Sequence, residues 1–291
     1  MKRQYSVLAI GVISVSFAAV FIRLADAPSL VIAAYRLCLA ALILAPFAVK
    51  FSGRELRKIP GRNLAMMLLA GGFLALHFGL WVTSLSYTSV ATSVVLVTAT
   101  PIFTAVASYL LFKEKLTVKI VLGITVSIGG SVVIGYGNWS IGTNQLLGAG
   151  LALAGALAIA GYLLTGRRLR RTTGLLSYTF VTYSSAAVLL LITALASGYS
   201  LSGYSGNTYL MLVLLALIPQ ILGHSSLNWS LKFMPATMVT IAVLGEPIIA
   251  TTLAFLILNE SPTLTEIIGG ILILGGIFIA FKGNKIPAAQ L

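Results

Sequence analysis

Residues 101–130 read PIFTAVASYLLFKEKLTVKIVLGITVSIGG, and residues 247–276 read PIIATTLAFLILNESPTLTEIIGGILILGG. The two stretches share proline, glutamate, threonine and glycine residues, all separated by the same 146 positions. The matched pairs are Pro101 and Pro247, Glu114 and Glu260, Thr117 and Thr263, Gly123 and Gly269, Gly129 and Gly275, and Gly130 and Gly276. Chance seldom places so many glycines and prolines at one constant offset, so we expect the chain to contain an internal repeat.

The composition is typical of a membrane protein. Of the 291 residues, 58% are hydrophobic and only 9% are charged, whereas a soluble domain carries about 25% charged residues. A soluble globular domain is therefore excluded, and so is an intrinsically disordered chain, because disorder requires low hydrophobicity. The single cysteine, Cys38, excludes an intrachain disulfide and a cysteine-based metal site.

Ten apolar stretches are long enough to cross a bilayer, which takes about 20 helical residues. They cover approximately residues 5–23, 28–49, 63–85, 89–112, 117–136, 147–165, 175–197, 208–231, 235–258 and 264–282. We interpret the first as a membrane span, because it is longer than the apolar core of a signal peptide and lacks a clear cleavage site. Polar runs at 52–58 and 167–171 are predicted to separate neighbouring spans. The sequence therefore predicts an all-α integral membrane protein with ten transmembrane helices.

The basic residues fall almost entirely on one side of these spans. When the loops are assigned alternately to the two faces, one face receives 17 of the 19 Lys and Arg residues. They are Lys2, Arg3, Lys50, Arg54, Arg57, Lys58, Arg62, Lys113, Lys115, Lys119, Arg167, Arg168, Arg170, Arg171, Lys232, Lys282 and Lys285. Because basic loops stay cytoplasmic, we expect both termini in the cytoplasm and the protein in the cell membrane, inner or plasma. The net charge of +13 then reflects topology, and nucleic acid is not an expected partner.

The repeat divides the ten spans into two groups of five, residues 1–137 and residues 138–291. Because five is odd, the second group must enter the membrane with the opposite orientation. Inverted repeats of this kind are typical of secondary transporters, which hold their substrate near the midplane between the two halves.

The chain resembles the drug/metabolite transporter superfamily, specifically its EamA-type members with ten helices. The resemblance rests on the two segments from Pro101 to Glu114 and from Pro247 to Glu260, on the glycine-rich fifth and tenth spans, and on the second span around Arg36. It covers nearly the whole chain. Members of the family move amino acids, drugs, nucleotides, sugars and related metabolites, often outward, so the resemblance implies a transporter and leaves the substrate open.

Few polar groups lie at membrane depth, and such groups are functional candidates because they are costly there. Residues four apart share one face of a helix. Trp81 lies four residues after His77 on the third span, and Gln220, His224 and Asn228 form a polar stripe at the same spacing on the eighth span. We expect the third, fourth, eighth and ninth spans to line a shared cavity. The candidates for contacting substrate or a coupling ion are Arg36, His77, Trp81, Gln220, His224, Asn228 and Glu246.

Several of these residues have competing interpretations. Glu246 either carries a coupling proton, binds a cationic substrate group, pairs across helices or binds backbone groups exposed by the kink. Arg36 either binds a substrate carboxylate or ties helices together, through backbone carbonyls or through Asp26 or Glu246. Three prolines that interrupt spans remove a helix hydrogen bond each and are either fixed kinks or hinges: Pro101, Pro219 and Pro247.

The sequence favours a secondary transporter of small metabolites, an exporter of amino acids or similar amphipathic solutes that works by alternating access. The chain has no nucleotide-binding loop, which excludes ATP-driven transport within it, and no catalytic, metal-binding or cofactor-binding motif is recognised. The expected partners are a small-molecule substrate, the lipid bilayer and, as one option for coupling, protons. The glycine-rich spans pack helices within the chain or between two copies in a homodimer. The alternatives are a channel, a non-transporting membrane subunit or, less favoured, an intramembrane enzyme.

Overall fold

The computed structural model describes residues 2–88, 90–113, 116–137, 142–258 and 263–282. Over these residues the chain forms helices and their connections, with no β-strand. The first five helices are α1 (Lys2–Ser16 and Ala18–Leu24), α2 (Ser29–Arg57), α3 (Gly61–Ser84), α4 (Val90–Val97 and Thr100–Phe112) and α5 (Val118–Gly137). The next five are α6 (Gln145–Leu169), α7 (Leu175–Ala196), α8 (Gly206–Leu215, a π-helical turn Ala216–His224 and Ser225–Ser230), α9 (Ala236–Val243 and Glu246–Leu258) and α10 (Leu264–Lys282).

These helices confirm the predicted all-α membrane fold. Among the described residues, nine helices are long and apolar enough to cross a bilayer, and the apolar part of α10 is a shorter helix, Ile267–Lys282. Large apolar side chains cover the outside of the bundle, where Leu42 and Leu111 are more than two-thirds exposed. A protein surface of that kind is stable in lipid and not in water.

The end of α2 differs from its prediction. The polar run 52–58 was expected to form the break after the second span, but α2 continues through most of it to Arg57. The thickness of the bilayer sets how many apolar residues a span needs. It does not end the helix, which can continue beyond the bilayer into water. Arg54 and Arg57 lie in the last turn, where positive charge stabilises the negative end of the helix dipole.

The two repeated glycine segments pack directly against each other, because α5 crosses α10. Gly123 lies against the backbone of Gly276, and Gly130 lies against the backbone of Gly269, so closely that an added Cβ would come within 2.6 Å of the facing carbonyl oxygen. Gly269 is the repeat equivalent of Gly123, and Gly276 is the repeat equivalent of Gly130, so the repeat relates the two contacts to each other. At the centre of the crossing, Ser127 Oγ donates to the carbonyl of its own repeat equivalent, Ile273, at 3.2 Å.

The other helix contacts also match between the two halves of the repeat. Helix α3 packs on α6, and its counterpart α8 packs on α1, while α2 packs on α7. The second segment of α4, Thr100–Phe112, contacts Ala236–Val243 of α9, and the first segment, Val90–Val97, contacts Glu246–Leu258. The two groups of helices are therefore related by an approximate twofold, as an inverted repeat requires.

Some predicted features lie outside the described residues. Glu114 and Glu260 of the repeated motif are among them, and so are residues 138–141, where the boundary between the repeats was expected. The division into 1–137 and 138–291 therefore stays a prediction.

Candidate functional site

A small cavity of about 50 Å³ lies at the centre of the bundle, among helices α1, α2, α3, α4, α6, α8 and α9. Five of the seven candidate residues line it: Arg36, His77, Trp81, His224 and Glu246. The cavity was expected between α3, α4, α8 and α9, and the structure adds three helices to its walls. Most of the remaining wall is apolar, including Val15, Val97, Ile159, Leu163, Leu227 and Val243.

Arg36 is held in place on two sides. Its Nε donates a hydrogen bond of 2.8 Å to Oε1 of Gln220, and its Cζ lies 4.0 Å from the ring centroid of Phe78. The side chain is 1% exposed, yet Nη1 has no hydrogen-bond partner. A buried guanidinium N–H without an acceptor is unfavourable. The contact to Gln220 also explains that residue, which lies behind Arg36 and does not line the cavity.

His77 and Trp81 form one wall together. Their rings stack with centroids 5.8 Å apart and planes inclined by 10°. His77 Nδ1 lies 3.0 Å from the carbonyl of Gly155, and because a carbonyl oxygen only accepts, Nδ1 carries a proton there. The indole Nε1 of Trp81 is buried and has no hydrogen-bond partner.

His224 lies on the opposite helix, α8, within a π-helical turn. Proline lacks an N–H and clashes with the carbonyl four residues earlier, and the turn Ala216–His224 contains Pro219. Such turns occur often at functional sites. The turn brings the ring of His224 to 6.5 Å from that of His77 and to 5.3 Å from that of Phe78.

Glu246 occupies a break in α9. The helix stops at Val243 and starts again at Glu246, so the carboxylate lies in the first turn of a new helical segment. Negative charge is stabilised there by the unpaired N–H groups of the helix start. Helix α4 is broken in the same way before Pro101, as α9 is before Pro247. All three predicted prolines thus lie at or beside a helix irregularity.

The comparisons with known proteins agree with this architecture. The EamA-like transporter family matches residues 3–136 and 146–282. The chain belongs to this family. Similar proteins include the uncharacterized transporter YdfC of Bacillus subtilis strain 168, 27% identical over 87% of this chain and 82% of its own length. An uncharacterized transporter of Clostridium kluyveri is 27% identical over 85% of this chain and 81% of its own length.

One solved crystal structure of a protein has the same fold as this chain, with a TM-score of 0.77 at 18% sequence identity, over 96% of both chains. The family and the relatives together identify a multi-pass membrane transporter. They confirm the resemblance to the EamA family that was inferred from the repeated segments between a proline and a glutamate.

Asn228 of this EamA-family chain does not line the cavity. It lies one turn beyond His224, toward the end of the bundle that carries the basic loops, and its Nδ2 donates to Tyr162 Oη at 2.5 Å. Tyr162 stacks on Tyr178 with centroids 6.2 Å apart, and Arg170 Nε donates to the Asn228 carbonyl at 3.2 Å. We call Tyr162, Tyr178, Asn228 and Arg170 the closing layer, because they fill the bundle between the cavity and the basic loops.

Sequence reasoning missed some residues in and around the site. Phe78 supports Arg36 but is an ordinary apolar residue in the sequence, so nothing marked it. Thr98 and Thr100 line the cavity and bond the carbonyls of Val95 and Val97 at 2.9 and 2.7 Å. They satisfy backbone groups freed by the helix break. The run Thr98-Ala99-Thr100-Pro101 was the available signal.

Proposed function

We propose that this membrane transporter is a secondary carrier that exports small amphipathic metabolites, amino acids or solutes of similar character, by alternating access. The observation that carries the proposal is the central cavity. It is enclosed by helices of both halves, its wall is mainly apolar, and it contains one buried guanidinium and one buried carboxylate. That combination suits a solute with both an apolar body and polar ends.

The packing around the cavity supports alternating access. The closing layer separates the cavity from the basic loops, whereas a second cavity of about 180 Å³ lies at the opposite end, among residues of α1, α2, α3 and α4. Opening of the closing layer would admit substrate from the basic side. Rocking of one half against the other would then open the path through the second cavity, and the approximate twofold provides two similar packings for the exchange.

The direction follows from the proposed topology. The basic end is cytoplasmic by the positive-inside rule, which places both termini in the cytoplasm of a cell-membrane protein. Substrate then enters at the closing layer and leaves at the second cavity. Glu246 is the proposed proton carrier, because among the residues that the structure describes it is the carboxylate that lines the central cavity.

The test is transport by the purified protein in proteoliposomes loaded with unlabelled amino acids. A carrier should saturate with external labelled solute and should show counterflow, in which the unlabelled solute inside drives uptake of the labelled solute. Linear flux without counterflow would instead indicate a channel. No flux of any solute class in a broad panel would indicate the non-transporting subunit. Preferential transport from the basic face outward tests the export direction.

A further inference from the structure

We propose that a third cavity, at the basic end of the bundle, binds the headgroup of an anionic phospholipid through its phosphate. This cavity has a volume of about 360 Å³ and lies between the α6–α7 loop and the connection that follows α8. Its wall is made by residues 170–175 and by Trp229, Lys232 and Phe233. It shares no wall residue with the central cavity, so we call it the headgroup cavity.

The first observation is the charge of this wall. It contains three basic residues, Arg170, Arg171 and Lys232, and no acidic one. The Glu55 carboxylate lies next to Gly174, but it accepts the Gly174 N–H at 2.6 Å and is not part of the wall. A concave space that is lined by charges of one sign attracts a ligand of the opposite sign. Arg171 and Lys232 are exposed, so their side chains are accessible to an anion.

The second observation is that the wall is held together by hydrogen bonds. Arg170 is 3% exposed and donates from Nε to the carbonyl of Asn228 at 3.2 Å and from Nη1 to the carbonyl of Thr173. Arg167, near the end of α6, donates to the carbonyl of Leu231 at 2.8 Å. These bonds tie the α6–α7 loop to α8 on both sides of the cavity. The two acceptors of Arg170 are neutral carbonyls, so a nearby phosphate would compensate its buried charge.

The third observation is the depth of the cavity, which favours a lipid over a soluble phosphate. The α6 span ends at Leu169, the α7 span begins at Leu175 and the α8 span ends at Ser230. Every wall residue lies within three residues of one of these ends or inside the last turn of α8. The ends of membrane spans lie at the level of the phospholipid headgroups, and basic pockets between spans on the cytoplasmic side bind anionic headgroups.

An aromatic pair places further positive charge at this level. The rings of Trp229 and Phe233 pack with centroids 4.4 Å apart, and tryptophan is enriched in the headgroup region. Arg3 Cζ lies 5.8 Å from the Trp229 centroid, and Lys232 Nζ lies 6.0 Å from the Phe233 centroid. Helix α1 therefore adds a fourth cation beside the cavity. Because Arg170 also belongs to the closing layer, a bound headgroup would lie against that layer.

The experiment uses the tryptophan of the site as its reporter. Trp81→Phe and Trp139→Phe leave Trp229 as the only tryptophan of the chain, and a phospholipid brominated near the carboxyl end of its acyl chain quenches a tryptophan that it contacts. The protein is reconstituted in phosphatidylcholine vesicles with an increasing fraction of brominated phosphatidylglycerol or brominated phosphatidylcholine. We expect the anionic lipid to bind beside Trp229 about fivefold more strongly than the neutral lipid. Equal quenching by the two lipids would overturn the site.

A matched pair of variants separates the cavity from the general charge of this face. Arg171→Gln with Lys232→Gln removes two positive charges from the wall, whereas Arg57→Gln with Lys58→Gln removes two exposed charges from the end of α2, outside the wall. The first variant should lose the preference for phosphatidylglycerol, and the second should keep it. Equal loss in both variants would indicate diffuse attraction to the basic face and would overturn the site.

Quenching by brominated phosphatidylcholine shows whether each variant is inserted in the bilayer, since this signal should be the same in the parent and the variants. Should the double wall variant fail to insert, Lys232→Gln alone is compared with Lys58→Gln. The single wall variant should have the weaker preference, and equal preference in the two would overturn the site.

Soluble phosphates distinguish the two sources of the phosphate group. Inorganic phosphate or glycerol phosphate is added on both sides of the vesicles at constant ionic strength. We expect quenching by brominated phosphatidylglycerol to stay unchanged, whereas recovery of the Trp229 fluorescence would overturn the lipid assignment in favour of a soluble phosphate compound. None of these measurements requires transport, so their outcome is independent of the proposed function.

Discussion

The crossing of α5 and α10 allows a matched test of the inverted repeat. Gly130→Ala would place a Cβ 2.5 Å from the carbonyl oxygen of Gly269, whereas ordinary contact begins at 3.4 Å. The neighbour is backbone, so it cannot rotate away, and the two helices must separate by about 0.9 Å. Gly129→Ala, one residue earlier, meets nothing within 4 Å.

The pair isolates the packing energy. Both changes gain the same helix propensity, roughly 1 kcal/mol for glycine to alanine, so this contribution cancels in the comparison. Overpacking of a close contact costs about 1–3 kcal/mol. We therefore expect the Gly130→Ala variant to be less stable than the Gly129→Ala variant by about 1–3 kcal/mol.

The measurement is reversible unfolding in mixed micelles, titrated with SDS and followed by tryptophan fluorescence. The same comparison in the second half, Gly276→Ala against Gly275→Ala, should give a difference of the same sign, because Gly276 has a Cβ contact of 2.5 Å with the Gly123 carbonyl and Gly275 has none. Equal stability within both pairs would refute the close crossing. A response in one half alone would refute the twofold relation.

Three further predictions concern coupling, closure and the basic face. Glu246→Gln should abolish the dependence of amino-acid flux on a pH gradient, and unchanged coupling in proteoliposomes would exclude Glu246 as the proton carrier. Tyr162→Phe removes the acceptor of Asn228 Nδ2, worth about 1 kcal/mol or fivefold in population, and should raise labelling of a cysteine introduced at Leu227 in a Cys38→Ala background. The reagent is applied from the basic side, and unchanged labelling would contradict the closing role. Glu55→Gln weakens the hydrogen bond that Gly174 N–H donates to the Glu55 carboxylate at 2.6 Å, and should lower stability by about 1 kcal/mol in the same unfolding assay.

The fold was largely predictable because lipid imposes few choices. A helix must supply about 20 apolar residues to cross the bilayer, and that length can be read directly from the chain. What failed was the end of α2, because the water phase sets no length limit and the polar run through Arg57 stays helical. The internal repeat predicted that α5 and α10 are equivalent. It could not predict that they pack against each other.

From the sequence, the only site residues that could be predicted were polar or aromatic side chains that stand out within the apolar spans. Arg36, His77, Trp81, His224 and Glu246 were found because they are unusual in apolar spans, and the structure brings them to one cavity. Asn228 was expected beside them, but it lies one turn nearer the basic loops, against Tyr162. Depth along a helix depends on how neighbouring helices are placed, and a spacing of four residues gives only the shared face.

The symmetry of the scaffold and the asymmetry of the cavity have different causes. Glu246 directly precedes the repeated Pro247, and its equivalent before Pro101 is Thr100, which also lines the cavity. Helix α7, the counterpart of α2, has no basic residue to match Arg36. In the proposed alternating access, equivalent packing would give the two orientations similar energies. A substrate with unlike ends would need one positive and one negative group, and each half supplies only one of these charges while the repeat keeps its glycines and prolines.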